Sequence, residues 1–80
     1  MEGKAMTLRE LRENAILKQA ELAAVANLSR VSLSRWESGL RIPGPDFINK
    51  LAKALGVTPQ DVLQAARESK RLYQELQKNA

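Results

Sequence analysis

The sequence predicts an all-α domain of five helices, the last of them extended. Two observations carry this: capping residues and Gly/Pro breaks cut the chain into helix-length pieces, and apolar residues recur at helical spacing within those pieces. No piece reads as a strand. Eighty residues are too few to enclose two separate cores, so one domain is expected.

The first helix starts after Thr7 and runs to about Asn14. Thr7-Leu8-Arg9-Glu10 has the form of a capping box, with Met6 and Leu11 placed as a hydrophobic staple. A second helix spans about Gln19 to Ala26, with Leu22, Ala23 and Ala26 on one face. Asn27 interrupts it, asparagine being tolerant of the left-handed backbone of a tight corner. Ser29 then caps a third helix, Arg30 to Glu37, which buries Leu33 and Trp36 and stops before Gly39. Residues 39–44 read as a loop. A fourth helix starts at Pro45, turns Ile48, Leu51, Ala52 and Leu55 inward and ends at Gly56. Thr58-Pro59-Gln60-Asp61 opens the fifth, which has no evident stop.

Composition narrows the function classes. The chain has neither cysteine nor histidine, so it lacks the commonest metal ligands and general base; no metal, cofactor or catalytic residue is expected, and the chain does not read as an enzyme. No apolar run reaches the ~20 residues of a membrane span. The first six residues lack the long apolar stretch of a secretory signal, which makes a cytoplasmic protein the expectation. The net charge of +4 is concentrated: residues 18–53 carry six basic groups against three acidic, as a surface that binds a polyanion requires.

Helices two and three are joined only by Asn27, Leu28 and Ser29. So short a corner crosses the helices steeply and demands small residues at the contact, which Ala23 and Ala26 supply above Leu22, Leu28, Leu33 and Trp36. Leu17-Lys18-Gln19-Ala20-Glu21-Leu22-Ala23, followed by Leu28-Ser29-Arg30-Val31-Ser32-Leu33-Ser34-Arg35-Trp36-Glu37-Ser38-Gly39, resembles the Cro/phage-repressor (XRE) helix-turn-helix family. Pro43 and Leu51-Ala52-Lys53-Ala54-Leu55-Gly56-Val57-Thr58 look like that family's closing helices, and the resemblance covers roughly residues 8–63.

The resemblance implies a five-helix lambda-repressor-like domain over residues 6–63, with 64–80 as a C-terminal helical extension. It implies a sequence-specific regulator, a repressor in the simplest reading, that binds a pseudo-palindromic site on double-stranded DNA as a homodimer. Arg30, Val31 and Arg35, with Ser32 and Ser34 close by, match positions that face base edges. Gln19 matches a phosphate contact; Lys18, Ser29, Ser38 and Arg41 are further candidates for the DNA backbone. Arg12 and Glu37 match a salt bridge between the first helix and the end of the recognition helix. The residue types fit independently: arginine is the best bidentate donor to guanine, and valine contacts a thymine methyl group. Lys18 departs from the usual Ser or Thr cap, an exchange that costs about 0.5–2 kcal/mol of capping. Asn27 stands for the usual turn glycine, and Gly44 for a frequent serine.

Several alternatives stay open at this level. Trp36 is core by its spacing from Leu33, and a stacking platform otherwise. Val62, Ala66, Ser69, Tyr73 and Leu76 form a weak heptad seam, which either packs on its own domain or joins two copies. The apolar groups expected to be left over by the core, and so available for a dimer contact, are Val62, Leu63, Ala66, Tyr73 and Leu76. The rival function is a protein-protein adaptor on the same fold, against which the exposed arginines of helix three speak. No membrane and no small-molecule ligand are expected as partners.

Overall fold

A computed structural model describes residues 5–78. Met1–Lys4, which enter the reading of the N-terminus, and the last two residues of the 64–80 extension lie outside the described residues. The elements are α1 (Leu8–Asn14), α2 (Gln19–Val25), α3 (Arg30–Ser38), α4 (Pro45–Leu55) and α5 (Pro59–Lys78), with no strand among the described residues. Helix α2 closes one residue earlier than its spacing suggests, and α3 one residue later.

Four of the five starts are marked by a local side-chain hydrogen bond; α4 opens on Gly44 and Pro45 without one. Thr7 accepts the Glu10 amide (3.2 Å) while the Glu10 carboxylate accepts the Thr7 amide (2.9 Å). Thr58 and Asp61 make the same reciprocal pair at 3.1 and 3.2 Å, and Ser29 accepts the Ser32 amide at 3.0 Å. At α2 only half of the box exists: Glu21 accepts the Lys18 amide (2.7 Å), but an ammonium has no lone pair with which to accept the N–H in return.

The ends of α1 to α4 share one closure. Leu17 donates to the Arg12 carbonyl, Leu28 to Ala23, Leu40 to Arg35 and Val57 to Ala52, each across a residue with positive φ. Those residues are Ile16 (59°), Asn27 (57°), Gly39 (88°) and Gly56 (71°). Asn27 adopts the left-handed backbone that its position in the corner predicts.

The core is a single cluster to which all five helices contribute. Leu8, Leu22, Leu33, Leu51 and Val62 are its largest fully buried side chains, and Trp36 is 6% exposed. Trp36 is therefore core, and the stacking alternative falls. Its ring lies 5.2 Å from that of Phe47 on α4. Fully burying each such side chain is worth about 1.5–3 kcal/mol.

Helix α5 packs on α1, α3 and α4. It runs without a break through 63–64, and core burial continues past that point to Ala65, Ala66 and Ser69. Val62 and Ala66 are 0% exposed, which corrects their assignment to free apolar surface. Two small residues on the seam let α5 approach its neighbours closely, so the seam is filled by its own domain as far as Ser69. The polar member fits too: Ser69 Oγ accepts the Leu8 amide (3.1 Å), an N–H of the first turn of α1 that has no partner within its own helix. Beyond Ser69, Tyr73 is half-buried, while Leu72 (40%) and Leu76 (69%) remain exposed.

Candidate nucleic-acid interface

The corner between α2 and α3 is held by backbone. The Leu28 amide donates to the Ala23 carbonyl (2.8 Å) and the Asn27 amide to Ala24 (3.2 Å), with Ala23 and Ala26 buried at the crossing. Leu33 and Trp36 face inward, so helical geometry turns positions 30, 31, 34 and 35 outward. Arg30, Val31 (60%), Ser34 and Arg35 are all exposed, and with Gln19 they line one concavity.

Behind this face runs a polar chain that crosses three helices. Arg12 on α1 holds Glu37 on α3 in a two-pronged bridge, Nε to Oε2 at 2.6 Å and Nη2 to Oε1 at 3.1 Å. Its Nη1 donates to the Leu17 carbonyl at 2.9 Å. Both side chains are nearly enclosed (12% and 6% exposed), so the pair is screened little by solvent. The Glu37 hydrogen bond raises the Arg12 pKa above its ordinary value, with burial opposing and the Coulomb attraction of Glu37 adding to it. The bridge is thus a permanent ion pair on the arginine side. The Gln19 amide donates to Glu37 Oε1 (3.2 Å), and Gln19 Oε1 accepts from Arg30 Nε (3.3 Å). Arg12, Glu37, Gln19 and Arg30 form one relay that ends at an exposed guanidinium.

Other candidates stand apart from this cluster. Ser32 is half-buried and turned to Ser29, whose hydroxyl donates to it (3.1 Å). Ser38 donates to the Arg35 carbonyl (3.1 Å) and lines an adjoining concavity. Lys18 is exposed at the start of α2, and Arg41 is exposed in the loop after α3. Three roles escape sequence reasoning: Gln19 as the link between Glu37 and Arg30, Phe47 beside Trp36, and Ser69 under α1. No pattern of i, i+3 or i, i+4 could have found them, because their partners are 18, 11, 11 and 61 residues away.

A packed helix pair with a short corner, a buried inner face on its second helix and a cationic outer face defines a helix-turn-helix domain. The sequence model of the family described as Helix-turn-helix matches residues 8–62, and the chain belongs to that family, the Cro/C1 type. It is a DNA-binding helix-turn-helix regulator; the family is one of DNA-binding domains, not of enzymes. No curated protein matches the chain. Among the described residues, no helix is long and apolar enough to cross a membrane.

Proposed function

We propose that this protein is a transcriptional repressor that occupies a pseudo-palindromic operator as a homodimer and occludes a promoter. The observation that carries the reading is the outer face of α3, where Arg30 and Arg35 flank Val31 and Ser34 on a helix locked from behind. Arginine recognises guanine through its fork, and Val31 supplies an apolar contact for a thymine methyl group. Arg30, Val31, Ser34 and Arg35 read base edges, with Ser32 at the margin. Lys18, Gln19, Ser29, Ser38 and Arg41 hold the sugar-phosphate backbone. Neither the Arg30 nor the Arg35 guanidinium is in an ion pair among the described residues, and two such cations on one exposed helix face suit a polyanion.

One recognition helix spans only a few base pairs, too few to single out a site in a genome. Two copies related by a two-fold axis place their helices about 34–36 Å apart, one turn of the duplex. Val62 and Ala66 are committed to the core, so a dimer contact through α5 uses Tyr73, Leu76 and their exposed neighbours.

Selection of bound sites from a random duplex pool tests the reading. The expected product is an inverted repeat with half-sites one turn apart, bound two-to-one in sedimentation. Arg30→Ala and Arg35→Ala are expected to fold normally and to lose about 1–3 kcal/mol of affinity for that site each, with little change on random duplex. Equal losses on both duplexes would remove these residues from base readout. No retention of any duplex at low salt would favour the adaptor instead.

A further inference from the structure

We propose that Arg9 on α1 is a DNA phosphate ligand, closing a backbone-binding seat beside the recognition face. The proposal rests on the DNA-binding reading above. Arg9 lines a concavity with Arg12, Gln19, Ser34, Glu37 and Ser38. Gln19 and Ser34 also line the concavity that carries Arg30, Val31 and Arg35, so the two hollows adjoin. A duplex laid on α3 presents base edges to one hollow and brings the flanking strand to the other, because phosphates form the rim of the major groove.

The charges in this second hollow leave one cation in excess. Glu37 is matched by Arg12, whose Nε, Nη1 and Nη2 are all engaged within the protein. Arg9 has one partner among the described residues, Glu13, at 3.3 Å on the next turn of α1. Both of those side chains are more than half exposed (69% and 54%), so the pair is solvent-screened and exchanges readily. A phosphate offers the planar Arg9 guanidinium two anionic oxygens, a two-pronged acceptor in place of that contact.

The hollow also holds unused neutral donors. Gln19 Nε2 has two hydrogens, and its only acceptor among the described residues is Glu37. The Ser34 hydroxyl makes no hydrogen bond among the described residues. Arg9 and the Gln19 amide thus flank a space that an anionic oxygen would satisfy, with Ser34 at its border toward the base-reading face. Arg9 is remote in sequence from the helix-turn-helix segment, which is why no reading of that segment includes it.

The test measures affinity of the full chain for a selected duplex and a random duplex across salt. Arg9→Gln is expected to weaken both by the same factor. It should lower the slope of log affinity against log salt by about 0.9, the loss of one neutralised phosphate, so that its deficit changes roughly 3.5-fold between about 50 and 200 mM salt. Arg9→Lys keeps the charge and is expected to keep the slope, with thermal melting of both variants unchanged. An unchanged slope for Arg9→Gln, a loss confined to the selected duplex, or an equal fall in slope for Arg9→Lys would each overturn the proposal. A wild-type chain that binds neither duplex would instead overturn the DNA-binding reading itself.

Discussion

Helices α1 and α3 end in the same way and in opposite surroundings. Each closes with two backbone hydrogen bonds across one left-handed residue, Ile16 in the first case and Gly39 in the second. Ile16 is 86% exposed, so its side chain meets only solvent; its cost is intrinsic, a β-branched residue where L-amino acids lose about 1–2 kcal/mol. Gly39 is buried under α5. A Cβ there would collide with the Ser69 carbonyl and lie 2.7 Å from Tyr73 Cβ. One closure tolerates the wrong residue because nothing covers it, and the other excludes every residue but glycine because a helix lies on it. Backbone hydrogen bonding sets the conformation in both; packing decides whether a side chain is permitted.

The comparison is broken most severely by removing the helix that covers Gly39. Truncation after Leu63 deletes Ala65, Ala66 and Ser69 from the core and strands the Leu8 amide that Ser69 accepts. Such a chain is expected to show no cooperative melt by circular dichroism. A truncated but folded, DNA-binding monomer would show that α5 beyond Leu63 is dispensable to the fold. Gly39→Ala is the next largest change, about 2–4 kcal/mol destabilising from left-handed strain and overpacking together. Chemical denaturation should show a lower midpoint with an unchanged slope. A loss below about 1 kcal/mol would mean that α5 yields to the added methyl.

Ile16→Gly lies at the other end of the scale and has the opposite sign. Relief of left-handed strain outweighs the added freedom of the unfolded chain, leaving a gain of about 0.5–1 kcal/mol. For a domain of this size that is a rise of about 2–8 °C in Tm. Asn27→Gly, at nearly the same φ, is expected to change Tm far less, because asparagine already tolerates the conformation. Equal gains at both positions would show that the strain assigned to Ile16 is not specific to its β-branch.

What was legible in advance follows the range of the interaction. The caps at Thr7, Ser29 and Thr58, the αL stops at Asn27 and Gly56 and the inward face of α3 depend on groups within four residues of each other. Local spacing is sufficient to read them. The exposed arginines of α3 were legible for the same reason, since Leu33 and Trp36 define the opposite side of a regular helix. The left-handed turn at Ile16 was not, because isoleucine has no preference for that conformation and the closure of α1 imposes it.

The sequence by itself therefore determined which segments become helices, where four of the five begin by a capping residue or proline, and which side of α3 faces out. Tertiary structure alone decided that α5 folds back as the wall of the recognition helix, and that Ser69, a polar residue in an apolar seam, is the acceptor for α1. It also decided that Gln19 links a buried ion pair to Arg30. The physical reason is the same in each case. A helix signals its own start and its own amphipathic face through neighbours one turn away, whereas the identity of the surface it meets depends on chain segments tens of residues distant, brought there by burial of the shared core.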